Sequence, residues 1–335
     1  MFKWFSSFDK FVPALLLVII LASLFPEPAA YEGSFTLHNL GDIGITLIFL
    51  FYGLKLNPRK LRQDLSNWRL HLVVQAATFI VFPLLVLPFY SYWSAGPHAL
   101  LWLGAFFLAT LPSTVSSSVV MVSIAKGNVP GAIFNASISS LAGIVITPLW
   151  MGLVLTSAQS SSGEVGDYSN ILLKLVLQVL LPVVAGLLLN RVFGHWAQKN
   201  ARFLKLFDQS IILLIVYLSF GESFHLNLFA DISAIDILLI LLLCGALFFL
   251  VFGIIHLTSK QLKFDRRDRI TALFSGSKKS LVHGTVMAGI LFKGMTGVGV
   301  ILLPLMIYHT LQLVIAGVLA QRFGREEEAN RSRGQ

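Results

Sequence analysis

The sequence predicts an all-α polytopic membrane protein with ten transmembrane helices, arranged as two inverted five-helix repeats. Of its 335 residues, 56% are hydrophobic and only 12% are charged, and the mean hydropathy is +0.80. Such a composition is typical of chains that cross a bilayer repeatedly. The apolar residues gather into ten stretches, and the basic residues gather into alternate connections between them.

The ten predicted spans are each apolar over most of their length and bounded by polar or charged residues. They cover approximately residues 11–25, 39–55, 69–90, 99–125, 129–157, 169–190, 208–226, 233–258, 269–292 and 298–321. A helix needs about 20 apolar residues to cross the hydrocarbon layer, and these stretches are close to that length.

The basic residues indicate the orientation of the chain. They precede the first span and then follow every second one, as Lys3, Lys10, Lys55, Arg59, Lys60, Arg62, Lys126, Arg191, Lys199, Arg202, Lys205, Lys260, Lys263, Arg266, Arg267, Arg322 and Arg325. The connections 26–38, 91–98, 158–168 and 223–232 contain neither Lys nor Arg. This positive-inside pattern predicts both termini in the cytoplasm, and the membrane expected is a bacterial inner membrane. It accounts for the net charge of +9 without nucleic acid as a partner.

The N-terminus also admits another interpretation. Lys3, Lys10, a short apolar run and Pro28-Ala29-Ala30 are similar to a secretory signal peptide with a small-residue cleavage site. Cleavage would leave nine spans and disturb the alternation of charge, so a retained first helix is the preferred interpretation.

A Ser/Gly-rich connection near the middle divides the chain. The predicted organisation is a first five-helix repeat over 1–157, a linker over 158–168, a second repeat over 169–324 and a cytoplasmic tail over 325–335. An odd number of helices in each half makes the second half enter the membrane with opposite polarity. The fourth span of each half carries a polar interruption, which is typical of the binding sites of secondary transporters.

The interruption in span four is rich in hydroxyl groups. Five of the six residues that follow Pro112 carry one: Ser113, Thr114, Ser116, Ser117 and Ser118. Proline frees backbone groups, which hydroxyls can satisfy, or the hydroxyls can bind a ligand. Helix–helix packing through small residues is the alternative explanation. Asn135, in the first half of span five, is a further candidate, for a ligand or for a neighbouring helix.

The interruption in span nine contains two adjacent lysines. Lys278 and Lys279 are flanked by Ser275, Ser277 and Ser280. Each lysine at the centre of a span costs roughly 2.5–3.5 kcal/mol on insertion scales, so an interaction must offset that cost. An ion pair with a carboxylate is the structural alternative, but Asp42, Glu222 and Asp236 lie near span ends. The lysine pair is therefore a candidate site.

The segments Leu111–Met121, Ala125–Asn128, Ala132–Leu141 and Thr147–Leu149 strongly resemble the bile acid:sodium symporter family. With the Ser-Gly-Ser-Lys-Lys-Ser segment, the chain is most similar to the branch that contains the animal "member 7" carriers and their bacterial relatives. The resemblance covers essentially the whole chain. It implies a panel of helices 1, 2, 6 and 7 against a core of helices 3–5 and 8–10, broken helices 4 and 9 that cross near the midplane, and alternating access for an organic anion.

The sequence departs from the sodium-coupled members of that family. Where they carry a glutamate and then a glutamine–asparagine pair in span nine, the alignment puts Phe274, Lys278 and Lys279. In span four, Ser117-Ser118 stands at their serine–asparagine position. Ammonium groups would repel sodium and could occupy its place, so sodium coupling is in doubt. A lysine could instead attract the anion or couple transport to protons by titrating.

Three hypotheses follow for the function. The first is a secondary active transporter of a small organic anion. The second is a symporter of an organic anion or bile acid that keeps sodium coupling through the hydroxyls of span four and backbone carbonyls. The third is a non-transporting membrane regulator or scaffold of the same fold. An enzyme is not predicted, because no nucleophile–base pair or nucleotide loop is present. A lone Cys244 and scattered histidines predict no structural metal, disulfide or cofactor, with Na+ or H+ as possible coupling ions.

Overall fold

Helices are the regular secondary structure of the residues that the computed structural model describes, which are 11–31, 33, 36–55, 67–89, 98–160, 176–230 and 232–333. The helices in chain order are α1 (Phe11–Leu24), α2 (Glu27–Ala30), α3 (Leu37–Lys55), α4 (Trp68–Ala76), α5 (Phe82–Val86), α6 (Ala99–Thr110), α7 (Ser116–Ile124), α8 (Val129–Ser160), α9 (Leu181–Lys199), α10 (Ala201–His225), α11 (Ala234–Gln261), α12 (Arg266–Gly276), α13 (Leu281–Leu291) and α14 (Val298–Arg333). Wide π turns, Ala77–Val81 and Val176–Leu180, lead into α5 and α9.

Within the part of the chain that the structure describes, seven helical stretches are long and apolar enough to cross a membrane. They are Leu37–Lys55, Trp68–Phe89, Val129–Leu155, Leu177–Lys199, Ala201–His225, Ala234–Gln261 and Val298–Ala329, and α1 and α6 are shorter apolar helices. The prediction of a polytopic all-α membrane protein is confirmed. The predicted linker beyond residue 160 and the basic residues Lys3, Lys10, Arg59, Lys60 and Arg62 lie outside the described residues.

Several helices extend beyond the apolar stretches that predicted them. The seventh predicted span starts at 208, but α10 begins at Ala201. The last helix continues through Arg333, into the predicted tail. Polar residues continue a helix where the chain is solvated, and here they also find partners. Arg266 pairs with Glu327 at 3.1 Å and donates to the carbonyl of Phe323 at 2.6 Å.

The helices group into two compact units. The first contains α1, α2, α3, α9, α10 and the segment Thr285–Leu303. Within it, α3 packs along α9 at a pair of glycines. A Cβ atom on Gly53 would overlap the carbonyl of Val183, and one on Gly186 would overlap the carbonyl of Leu50. Glycines allow membrane helices to approach this closely.

Two ion pairs fix the ends of α3 in the first unit. Lys55 pairs with Asp208 of α10 at 2.9 Å. Lys293, which does not follow the basic pattern of the sequence, pairs with Asp42. Asp208, which faces α3, and Asp42, within α3, each therefore form an ion pair with a lysine.

The second unit contains α4 to α8, α11, α12, the first turn of α13 and the part of α14 that follows Leu303. Two polar side chains cap helices of this unit. The amide oxygen of Asn128 accepts from the N–H of Gly131 at 3.0 Å at the start of α8, and Asp265 accepts from Asp268 N–H at 2.7 Å at the start of α12. Both interrupted helices, α6–α7 and α12–α13, begin in this unit.

Candidate functional site

The first interruption lies where the sequence predicts it. α6 ends at Thr110, Leu111 is extended, and α7 begins at Ser116. Pro112 has no N–H to donate, so the helical ladder cannot continue through it. The carbonyls before it must find partners elsewhere, because at membrane depth no water replaces a lost hydrogen bond.

Four consecutive carbonyls at this interruption are satisfied from other segments. That of Thr110 accepts from the hydroxyl of Thr147 at 2.7 Å. Those of Ala109 and Leu111 accept from the ammonium of Lys279 at 2.7 and 2.8 Å. That of Pro112 accepts from the N–H of Ser280 at 2.8 Å. All four of these carbonyls therefore have a partner, as buried backbone groups require.

The second interruption separates Gly276 from Leu281. Ser277 donates its hydroxyl back to the carbonyl of Leu273 at 2.6 Å, and its own carbonyl accepts from Tyr308 at 2.7 Å. The side-chain amide of Gln312 bridges the backbone of Lys279. Its oxygen accepts from the Lys279 N–H and its nitrogen donates to the Lys279 carbonyl, both at 2.8 Å. Gln312 acts here as a neighbouring peptide group would in a sheet.

The two interruptions contact each other directly. Besides the bond from Ser280 to Pro112, the hydroxyl of Ser113 donates to the carbonyl of Ser275 at 2.5 Å. The N–H of Ser113 donates to the hydroxyl of Ser139 on α8 at 2.9 Å. Hydroxyls therefore satisfy backbone groups that the breaks leave free.

A third irregular segment, the π turn after α4, supplies part of the same region. Pro83 cannot donate to the carbonyl of Phe79, its partner in an α-helix, or to that of Thr78, its partner in a π turn. The indole of Trp150 donates to Phe79 at 2.8 Å, and the ammonium of Lys279 donates to Thr78 at 2.7 Å. Both freed carbonyls therefore accept hydrogen bonds from side chains of distant helices.

Lys279 has all its donors engaged. Its ammonium donates to the carbonyls of Thr78, Ala109 and Leu111, and it lies 4.1 Å from the centre of the Phe82 ring. The side chain is fully buried. Three charge-assisted hydrogen bonds are worth about 1.5–3 kcal/mol each, enough to offset the roughly 2.5–3.5 kcal/mol that a central lysine costs.

Lys278 has a different environment, although it is equally buried. Among the described residues, its ammonium makes one hydrogen bond, to the carbonyl of Ser117 at 3.0 Å in the first turn of α7. It forms no ion pair with a described carboxylate. One such bond offsets only part of the cost of burying the charge, and two donors stay available.

The predicted hydroxyl residues divide into groups. Thr114 bonds Ser118 at 2.7 Å and accepts from Ser117 at 2.8 Å, which places three hydroxyls at the first turn of α7 beside Lys278. Ser116 is exposed. The hydroxyl of Ser275 is buried and has no hydrogen-bonding partner among the described residues.

Asn135 and Ser280 complete the predicted set. Asn135 is buried, donates to the carbonyl of Gly131 at 2.9 Å and accepts from Gln75 at 3.3 Å. Ser280 is within 3.0 Å of the imidazole Nδ1 of His283. Groups of three acidic, His or Cys side chains able to hold a metal do not occur among the described residues.

Sequence reasoning missed several residues of this region. Thr78 and Trp150 contribute only because Pro83 frees carbonyls, and a proline within an apolar span was the signal that could have found them. Tyr308 gave no signal, since an aromatic residue in a span is ordinary. Gln312 was not among the predicted site residues, and its side chain bonds the backbone of Lys279.

Apolar helices interrupted at membrane depth, with the interruptions in contact and buried cations beside them, define a membrane transport protein. The comparisons with known proteins agree. The sequence profile of the SBF-like CPA transporter family matches residues 9–325, and the chain belongs to this family of transporters, not of enzymes.

Three relatives illustrate the range of the similarity. The chain is 37% identical to "Uncharacterized protein PA2026" of Pseudomonas aeruginosa, over 96% of this chain and 94% of that protein. It is 37% identical to "Putative symporter YfeH" of Escherichia coli, over 97% and 96%. It is 29% identical to "Sodium/bile acid cotransporter 7" of Xenopus tropicalis, over 93% and 90%.

Proposed function

We propose that this symporter-family protein is a secondary active transporter of a small organic anion, with Lys278 as the fixed cation that attracts it. One observation carries the proposal: the ammonium of Lys278 is fully buried but makes a single hydrogen bond among the described residues. A buried charge without an ion-pair partner is costly, and a carboxylate or sulfonate of a substrate would offset that cost.

The start of α7 adds to the attraction for an anion. The N-cap residue Val115 offers no side-chain hydrogen bond, so the first N–H groups of α7 are free of a side-chain cap. The N-terminus of a helix carries partial positive charge, and half-helices of transporters use it toward anionic groups. The carbonyl of Ser117, in the first turn of α7, accepts a hydrogen bond from the ammonium of Lys278, so the ammonium lies close to this terminus. The hydroxyls of Thr114 and Ser118 can orient a ligand there.

We further propose that transport does not require sodium. Where sodium-coupled relatives carry a glutamate in span nine, this chain has Phe274, which is fully buried between the rings of Phe252 and Phe323 at 6.1 Å from each. An aromatic cluster offers no oxygen ligand, and the amides that follow in those relatives are replaced by two cations. We therefore do not expect this chain to couple transport to sodium, although some of its relatives are named sodium cotransporters.

The remaining parts of the proposal come from the pattern of the chain. The ten predicted spans form two inverted five-helix repeats, and the interrupted helices cross and change accessibility by alternating access. The protein lies in a bacterial inner membrane, and its basic connections favour both termini on the cytoplasmic side.

The test is uptake by purified protein in proteoliposomes, preceded by a thermal-shift screen of mono- and dicarboxylates and bile acids to find a ligand. We expect a ligand-dependent rise in Tm and uptake that is unchanged when choline replaces Na+. Lys278→Met removes the charge at nearly constant size and should abolish both binding and uptake, while Lys260→Met, near the end of α11, serves as the matched control.

Folded Lys278→Met protein with full uptake would refute the role of Lys278. Uptake that requires Na+ would instead support the sodium-coupled alternative. An absence of ligand across the screen would favour a non-transporting scaffold of the same fold.

A further inference from the structure

Three backbone carbonyls from two segments converge on one point in the second unit. The oxygens of Thr78, Ala109 and Leu111 each lie 2.7–2.8 Å from the ammonium nitrogen of Lys279. The face of the Phe82 ring, whose centre is 4.1 Å from the same nitrogen, lies alongside them. We call these three oxygens and the ring the carbonyl cage.

The cage exists because of two prolines, not because of the lysine. Pro83 cannot donate to the carbonyl of Thr78, and Pro112 interrupts the helix that would satisfy Ala109. The N–H of Ser113, which would bond Ala109 in a continuous helix, donates to Ser139 instead. The carbonyls would therefore converge without a backbone donor even if residue 279 were not a lysine.

The occupant must be a cation. A neutral amine has two N–H groups, whereas three carbonyls accept from this nitrogen, which requires the three hydrogens of an ammonium ion. An aromatic face adds cation–π attraction. Convergent backbone carbonyls are also the ligands with which channels replace the hydration shell of a monovalent cation.

We propose that the carbonyl cage is a monovalent-cation site that the protein fills with its own side chain, so that the ammonium of Lys279 is a permanently tethered ion. Removing the side chain should open the site to ammonium and small alkylammonium ions. Lys279 is thus a positioning residue that joins the π turn after α4 to both interruptions. If the protein is a transporter, a filled cage also means that no free ion is needed at this site for coupling. That last statement alone rests on the proposed function.

The experiment measures the thermal stability of purified full-length protein and needs no transport activity. Lys279→Ala deletes a propylammonium group, so n-propylammonium, ammonium and methylammonium chlorides are compared with choline chloride at equal ionic strength. We expect Lys279→Ala to lose stability and to regain about 3 °C or more in Tm when one of the small ammonium ions is near saturation. Lys278→Ala, which also loses a buried ammonium, should gain nothing from these ions.

Two further comparisons keep the outcome decisive. Lys279→Met fills the space with a neutral chain, so it should melt lower than Lys278→Met and should not respond to added ions. If Lys279→Ala is not recovered from membranes, that comparison decides alone. Equal Tm values for Lys279→Met and Lys278→Met, or rescue of Lys278→Ala as large as that of Lys279→Ala, would overturn the proposal even if uptake experiments succeed.

Discussion

A single methyl group on α8 tests whether the contact between the two interruptions is as tight as the geometry indicates. A Cβ atom on Gly143 would lie 2.7, 2.8 and 2.9 Å from three ring carbons of Pro112. Carbon atoms pack at about 3.5–4.0 Å, so Pro112 would have to move by roughly 0.7–1 Å. The proline ring cannot rotate away, and its carbonyl holds the N–H of Ser280 at 2.8 Å. A shift of that size would stretch this hydrogen bond to its limit.

Gly143→Ala should therefore destabilise the protein relative to Gly245→Ala. A Cβ on Gly245, in α11, meets nothing within 4 Å, and the gain in helix propensity cancels between the two variants. Overpacking with the strained hydrogen bond costs about 2–3 kcal/mol, or roughly 4–6 °C in Tm. Thermal unfolding in detergent, followed by tryptophan fluorescence, measures the difference. A Tm difference of ~2 °C corresponds to about 1 kcal/mol. Tm values within about 2 °C of each other would therefore show that Pro112 can shift away from α8 at little cost, and would refute the reasoning.

Two other contacts give predictions of the same kind. Gln312→Met leaves the N–H and carbonyl of Lys279 without partners and should lower stability by about 2 kcal/mol or more, while Gln321→Met, further along α14, should have little effect in the same thermal assay. Equal loss in both variants would contradict the bridging role. Glu327→Gln removes the ion pair with Arg266 and should speed trypsin cleavage after Arg325 by on the order of five-fold, whereas Glu326→Gln, whose partner Arg322 is exposed, should not. Unchanged cleavage would mean that the pair does not hold the end of α14.

Local sequence rules predicted the interruptions well. Pro112 and the run of hydroxyls mark the first break, and the polar run around Lys278 and Lys279 marks the second. Each feature weakens a helix through its own residues, so no knowledge of the fold is needed.

The division of roles between the two lysines could not be predicted in this way. Lys279 differs from Lys278 only through carbonyls that distant prolines set free and through an amide on α14. Two adjacent lysines cannot be told apart in a sequence. In the structure, the ammonium of Lys279 has three carbonyl acceptors, whereas that of Lys278 has one among the described residues. The exposure of Ser116, two residues before the buried Ser118, depends in the same way on how α7 is turned.

The order of synthesis gives the carbonyl cage a further consequence. Its acceptors precede Lys279 by 201, 170 and 168 residues along the chain, so they leave the ribosome and enter the bilayer long before their donor. Until the ninth predicted span arrives, those carbonyls lack their final partner, and that span in turn carries a charge that resists insertion. Each segment is therefore unstable in the bilayer by itself and is stabilised once the other is present. Late insertion of the lysine segment is thus a step in the biogenesis of the protein.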